Sequence, residues 1–292
     1  MGIKVYIDGK YYSKVESKIS VFDHGFLYGD GVFEGIRSYD KLIFRLDKHL
    51  DRLYESAHTI MLEIPMTKKE LTAAIIQTLK LNKLSNAYIR LIISRGIGDL
   101  GLDPRKCPKP SIIIIADKIL LYPNKFYQEG LAIITVPTFR NLPNSLDPGI
   151  KSLNYLNNIM AKIEANNCGY NEAIMLSSDG MVAECSGDNI FIIKNNILYT
   201  PPSYIGALKG ITRDTLLEIG EKNKMRCEEK MLTRHELYNA DEVFLTGTAA
   251  EIVPVVKIDE RKIGTGRPGK ITLKLMRLFK QMTKKEGTRY TF

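Results

Sequence analysis

The sequence predicts a mixed α/β fold, of the α+β kind, built as two domains. Segments with strand period and segments with helix period occur in both halves of the 292-residue chain. A chain of that length buries at least one sizeable core and has room for two. A stretch carrying Pro123, residues 120–125, separates one run of elements from the next. Together these predict a small N-terminal domain over 1–118, a linker over 119–128 and a larger C-terminal domain over 129–292.

Residues 5–12 read as a hairpin, because Asp8-Gly9 suits a tight two-residue turn. Residues 20–37 hold four glycines among aromatics, which makes a rigid helix implausible. Such a segment brings aromatic walls and bare backbone to a ligand, or else packs its aromatics into the core. Residues 47–61 are amphipathic. Leu46, Leu50, Leu53, Ala57 and Ile60 keep helical spacing, while His49, Arg52 and Ser56 take another face, where Arg52 alone reads as a solvated surface arginine. Thr67 and Glu70 frame a capping box for a second helix through Leu81. Residues 86–94 alternate as a strand that puts Tyr88 and Arg90 on one face.

Gly96, Gly98 and Gly101 match GxGxxG behind that strand, but a dinucleotide turn must lead into a helix. Pro104, Pro108 and Pro110 forbid one, so 96–110 is a loop. Residues 111–116 and 131–136 read as strands. Residues 141–149, with Pro143 and Pro148, lead to Lys151, just ahead of a helical pattern over 154–167. A lone lysine there reads as a surface residue; partly buried, it gains the ability to act as nucleophile and base.

The densest chemistry lies in 180–214. Strands over 182–185, 189–194 and 197–200 are separated by short turns, the last of them Asn195-Asn196. Glu184 sits in an apolar neighbourhood, so its carboxylate needs a dedicated partner. Gly210, Ile211 and Thr212 precede a helical run over 213–222 and offer free backbone N–H groups to an anion. An acid and an anion site on one scaffold suit a ligand with a basic atom and a phosphate. A strand over 242–245 runs into small residues, Thr246 to Glu251, a second candidate anion cradle. An amphipathic helix over 270–284 closes the chain.

The net charge of +9 is spread along the whole sequence. It therefore reads as a solvated basic surface that attracts small anions rather than as a nucleic-acid site, which would cluster Lys and Arg among aromatics. No apolar run reaches membrane-spanning length. No secretory signal is visible and Tyr6 breaks the myristoylation pattern, so the expectation is a cytoplasmic protein. Four scattered cysteines read as free thiols, and four scattered histidines without HExxH give no expectation of a metal.

Seven motifs in order, HGFLYGDGVFEGIR, HLDRL, YIR, KSLNYLNN, E-x-S-x-x-N-I-F from Glu184, LKGITRD and TGTAAEI, resemble the class IV (fold type IV) pyridoxal-phosphate aminotransferases. Among these the branched-chain amino-acid aminotransferases match best, over nearly the whole chain. The resemblance implies a small α/β domain, a larger domain with a β-barrel-like core and surrounding helices, and pyridoxal 5'-phosphate between them. It implies that Lys151 attaches to the cofactor aldehyde and shuttles the proton, and that Glu184 holds the pyridine nitrogen. Arg52, the N–H groups of Ile211 and Thr212, and Thr248 would hold the phosphate, and Tyr155 the ring oxygen. Tyr88, Thr248 and Ala249 would read the substrate carboxylate. Tyr28, Phe33, Gly35 and Tyr155 would wall the side-chain pocket, and Arg90 would take the second carboxylate of glutamate or 2-oxoglutarate.

The resemblance further implies a homodimer or higher homo-oligomer, with a neighbour's loop closing the pocket. A D-amino-acid aminotransferase of this fold is expected to carry Arg-x-His in the loop after the YIR strand; here Arg95 is followed by Gly96 and Ile97. The expected activity is therefore amino transfer between L-leucine, L-isoleucine or L-valine and 2-oxoglutarate. The alternatives are a D-amino-acid aminotransferase or a 4-amino-4-deoxychorismate lyase. A cofactor-free lysine aldolase would leave Glu184 and the GITRD turn without a role.

Overall fold

Asp8 at φ 48° and Gly9 at φ 89° take the left-handed positions of the first turn. Lys4–Ile7 (β1) and Lys10–Ser13 (β2) therefore pair antiparallel, with Ile7 opposite Lys10. The computed structural model describes residues 2–119 and 121–292; Leu120, which opens the expected linker stretch, and Met1 lie outside the described residues. The described residues form two compact units. One gathers 2–119, Ile150–Asn154 and Thr283–Phe292, the other 121–149 and Tyr155–Met282.

In the first unit the glycine-rich segment does contain a short helix, His24–Tyr28 (α1). Asp23 caps it by accepting from the N–H groups of Gly25 and Phe26, and Gly29 ends it at φ 71°. A good cap thus secures one helical turn in a sequence too rich in glycine for more. The rest of the segment is strand, Gly31–Tyr39 (β3), followed by Leu42–Ile43 (β4). Helices Leu46–Thr59 (α2) and Lys68–Leu81 (α3) come next, the second with the predicted Thr67/Glu70 capping box. Strands Ala87–Ser94 (β5) and Ser111–Asp117 (β6) complete an antiparallel sheet in the order Thr288–Arg289, β4, β3, β5, β6, β1, β2. Leu50 and Leu53 of α2 and Ile75 of α3 pack with Ile36, Ile89 and Leu91 of the sheet in one buried core. Alternation along β5 buries Ile89 and Leu91 and leaves Tyr88 and Arg90 half-buried on the opposite face.

Ile150–Asn154 joins this unit by backbone pairing. Phe33 N–H donates to the Lys151 carbonyl at 3.0 Å and Leu153 N–H to the Gly31 carbonyl at 2.9 Å. Lys151 is therefore fixed beside β3 although it is remote in sequence.

In the second unit Asn124–Glu129 (α4), which starts within the expected linker and ends one residue past it, is a short helix. Leu131–Thr135 (β7), Pro143–Leu146 (α5) and Leu156–Asn167 (α6) follow. Next come Ala173–Leu176 (β8), Val182–Cys185 (β9), Asn189–Lys194 (β10) and Ile197–Thr200 (β11). Ile211–Lys222 (α7), Cys227–Glu229 (β12), Arg234–Tyr238 (α8), Glu242–Gly247 (β13), Glu251–Ile258 (β14), Arg261–Lys262 (β15) and Lys270–Met282 (α9) complete the unit. The strands form one mixed sheet in the order β12, β11, β10, β13, β14, β7, β8, β9, with β15 on β14. Asn195 and Asn196, both at positive φ, make the β10–β11 turn. A bridge from Val182 of β9 to Leu232, just past β12, brings the two ends of the sheet together. The sheet is curled, and Leu131, Ile174, Val182, Ile190, Leu245 and Val253 share its interior. No helix among the described residues is long and apolar enough to cross a membrane.

Candidate active site

His49, Arg52 and Ser56 are spaced by three and four residues, so they share one face of α2. That face is not solvated: all three side chains are buried, which corrects the reading of Arg52 as a surface arginine. The cause is Glu34, a fully buried carboxylate on β3 that periodicity alone does not reveal. Arg52 grips it with two bonds, Nε to Oε1 at 2.7 Å and Nη2 to Oε2 at 2.9 Å, and His49 Nδ1 lies 2.7 Å from Oε2. Burial alone would raise the Glu34 carboxyl, but the charges and hydrogen bonds of Arg52 and His49 hold it down at about 2. Burial pushes His49 below its usual 6.5 and Arg52 and Lys151 push the same way, against the pull of Glu34. Arg52 is thus a cation oriented by a buried acid.

Ser56, one turn further on, accepts from the Lys151 backbone N–H at 3.1 Å. The Lys151 side chain is half-buried, and its Nζ lies 4.6 Å from the centroid of the Phe33 ring. The Arg90 guanidinium lies 4.5 Å from the same centroid, and Arg90 Nη2 donates to the Tyr88 hydroxyl at 3.2 Å. Gly35 stands opposite Arg90 in the β3–β5 register, and a Cβ on Gly35 would come 2.1 Å from the Tyr88 hydroxyl oxygen. One unit therefore gathers Phe33, Gly35, Tyr88, Arg90 and Lys151 around an aromatic ring. Tyr28 stands on α1, and its hydroxyl donates to the Leu100 carbonyl at 2.6 Å.

In the other unit Glu184 has the partner its buried position requires. Arg140 Nε donates to Oε1 at 2.8 Å, while Oε2 accepts from the Leu208 N–H at 3.0 Å and from Asn189 Nδ2 at 3.2 Å. Both charges are almost wholly buried. Arg140 Nη1 also reaches Asn157 and Asn158 on α6, and Tyr155 occupies the N-cap position of that helix. Gly210 is the N-cap of α7, and no side chain caps the turn that Ile211 and Thr212 open. A Cβ on Gly210 would come 2.0 Å from Asn189 Oδ1, so any larger residue there would displace the Asn189 side chain that bonds Glu184. Thr248 and Ala249 follow the end of β13.

Residues 31–258 match the family model of class IV amino-transferases. The chain belongs to this family. A Methanocaldococcus jannaschii protein provisionally named a branched-chain-amino-acid aminotransferase is 50% identical over 98% of each chain. The D-alanine aminotransferase of Bacillus licheniformis is 36% identical over 92% of this chain and 93% of its own. The structure of the Thermobaculum terrenum branched-chain amino acid aminotransferase in its pyridoxal-phosphate holo-form matches with a TM-score of 0.87 at 29% identity, over 97% of this chain and 94% of that one.

The side chains of this class IV aminotransferase fit pyridoxal 5'-phosphate. The first unit offers a half-buried lysine, and the second a buried ion-paired carboxylate and a helix start without a side-chain cap, the kinds of group that suit an aldehyde, a protonated pyridine nitrogen and a phosphate. The buried Thr246 hydroxyl, two residues before Thr248, has no hydrogen-bond partner among the described residues, as expected beside a polar ligand. Glu34 and His49, which bind each other and of which Glu34 holds Arg52, and Arg140, which holds Glu184, are buried groups whose partnerships periodicity does not reveal. Glu34 lies inside the VFEGIR string, where an acid among apolar residues is itself a signal.

Proposed function

We propose that this chain is a pyridoxal-phosphate-dependent branched-chain-amino-acid aminotransferase, exchanging amino groups between L-leucine, L-isoleucine or L-valine and 2-oxoglutarate. The observation that carries the reading is the Arg90 guanidinium resting on the Phe33 ring beside Tyr88. A cation stacked on an aromatic face leaves an apolar surface for an isobutyl group, and it can turn outward to meet a second carboxylate. The D-amino-acid reading would call for an Arg-x-His in the loop after β5, and here Arg95 is followed by Gly96 and Ile97. Arg95 is committed to Asp30 and to the carbonyls of Ile60 and Met61.

When bound, pyridoxal phosphate supplies the electron sink that makes the Cα proton of the amino acid acidic. Lys151 Nζ moves that proton, a role suited to a flexible amine on a fixed backbone. Glu184, ion-paired with Arg140, holds a positive charge on the pyridine nitrogen. Arg52, fixed by Glu34, holds the phosphate together with the N–H groups of Ile211 and Thr212 and the Thr248 hydroxyl. Tyr155 takes the ring oxygen, and Tyr88, Thr248 and Ala249 read the substrate carboxylate. Phe33, Gly35, Tyr28 and Tyr155 bound the side-chain pocket. On this reading the protein is cytoplasmic and works as a homodimer or larger homo-oligomer, with 1–118 as its small domain, 119–128 as the linker and 129–292 as its large domain, apart from Ile150–Asn154 and Thr283–Phe292, which cluster with the first unit.

The test is an absorption spectrum of the purified protein with pyridoxal phosphate. A visible band that bleaches with L-isoleucine and not with D-alanine, and that Lys151→Ala lacks, supports the reading. A band bleached only by D-alanine transfers the site to the other substrate class, and no band at all refutes it.

A further inference from the structure

Beneath the turn that follows β13 lies a second buried acid system, outside the roles assigned above. Asp188, Glu172 and the Tyr122 hydroxyl are all buried, and Tyr122 Oη lies 3.1 Å from Glu172 Oε2 and 3.2 Å from Asp188 Oδ2. A phenol has one hydrogen, so Tyr122 cannot donate to both acids. The two carboxyls are unequally provided for. Glu172 Oε1 accepts the N–H groups of Ala173 and Ser186 and the Ser186 hydroxyl, and Lys162 Nζ stands 3.4 Å from Oε2. For the Asp188 carboxyl, Tyr122 is the one hydrogen-bond partner among the described residues. The arrangement that gives every hydrogen an acceptor is a chain: a protonated Asp188 donates to Tyr122, and Tyr122 donates to an ionised Glu172.

The other charged or titratable groups facing Asp188 are Glu184, Cys185 and Lys162. Glu184 is ion-paired with Arg140 and still pushes the Asp188 carboxyl up, while the one cation among these groups, Lys162, pulls it down but is shared with Glu172. Burial, followed by the Glu172 charge, pushes the Asp188 carboxyl up to about 7.

The place of Asp188 gives this chain a consequence. Its Oδ1 would stand 2.1 Å from a Cβ on Gly247, so the carboxyl packs directly against the backbone that enters the Thr248 and Ala249 turn. The Asp188 carbonyl also accepts the Cys185 N–H at 2.8 Å, tying this floor to the strand of Glu184. We propose that Asp188, held as a neutral acid through Tyr122 and Glu172, is a positioning residue for the 247–250 turn that receives the substrate carboxylate. Its ionisation puts a negative charge under that turn and breaks the chain that holds the floor in place. This inference rests on the reading of Thr248 and Ala249 as carboxylate-binding groups.

The experiment measures the dissociation constant of 4-methylvalerate, a carboxylate without an amine, for the pyridoxal-phosphate holoenzyme from pH 6 to 9. Asp188→Asn and Tyr122→Phe are measured alongside wild type. If only the protonated form holds the turn, wild-type affinity falls about tenfold per pH unit above the midpoint, while Asp188→Asn gives a flatter profile. An Asp188→Asn profile parallel to wild type, or a wild-type profile that does not fall, overturns the proposal. Infrared spectra of wild type provide a check that needs no variant. A protonated-carboxyl band present at pH 6 and lost by pH 9 supports the chain, and its absence at pH 6 refutes it. This titration is independent of activity. A failure to bind pyridoxal phosphate at all would therefore count against the proposed function while the infrared result still judged Asp188.

Discussion

Gly35 and Tyr88 are matched to each other: a Cβ on Gly35 would lie 2.1 Å from the Tyr88 hydroxyl oxygen, far inside contact distance. Glycine is required there for room, since Gly35 is not among the residues with positive φ. Gly35→Ala should push the Tyr88 hydroxyl away from Arg90 Nη2 and out of the proposed carboxylate site. The expected outcome is a KM for L-leucine raised by about tenfold or more, the equivalent of one hydrogen bond to a charged group, with pyridoxal phosphate affinity unchanged. Steady-state kinetics check the first part and spectral titration of the apoprotein the second.

The Arg140–Glu184 pair should behave as a buried ion pair whose members are worth little alone. Arg140→Met keeps much of the side-chain volume and leaves the Glu184 carboxylate buried without its guanidinium, with the Asn189 amide and the Leu208 N–H among its remaining donors. Breaking such a pair costs about 3–5 kcal/mol, which urea unfolding would detect as a lowered midpoint. An unchanged midpoint would mean that the Glu184 carboxylate does not depend on the Arg140 guanidinium for its burial.

These two cases show what the sequence makes legible. Hairpins, capping boxes and the alternation of β5 follow from local chemistry, and Asp8-Gly9, Thr67 with Glu70, and Tyr88 with Arg90 all stand where their spacing puts them. Arg52 does not, because helical spacing separates faces without saying which face is dry. Only the arrival of Glu34 from β3 makes the polar face of α2 an interior one. Arg140 lies 44 residues before Glu184, and its part depends on a sheet that curls upon itself, which no local pattern encodes. The helix at α1 is likewise hidden, since its cap outweighs the glycines that argue against it.

Glu34 gives the protein a specific acid limb. Its folded carboxyl titrates at about 2 against an ordinary 4.5, so the stabilisation is complete above pH 4.5 and is lost as pH falls from there toward 2. The difference corresponds to about 3 kcal/mol. His49 adds an earlier decline below pH 6.5, because the unfolded chain takes up a proton that the buried imidazole resists. Glu34→Gln should lose stability of this order at pH 7 and flatten the profile between pH 4.5 and 2. Chemical denaturation across that range checks both, and a variant with the wild-type slope would assign the acid limb to other carboxylates.

Arg90 is where substrate choice can be separated from catalysis. Its guanidinium rests on Phe33 and touches the Tyr88 hydroxyl, so removing it leaves the aromatic surface in place for an apolar side chain. Arg90→Ala should leave kcat/KM for L-leucine within a few-fold of wild type. For L-glutamate the same substitution removes a charge-assisted contact to the second carboxylate, worth about 1.5–3 kcal/mol, or roughly a ten- to hundredfold loss. Half-reactions followed separately with each amino acid distinguish the two. Equal losses would mean that Arg90 serves Tyr88 and the shared carboxylate site rather than discriminating one substrate from the other.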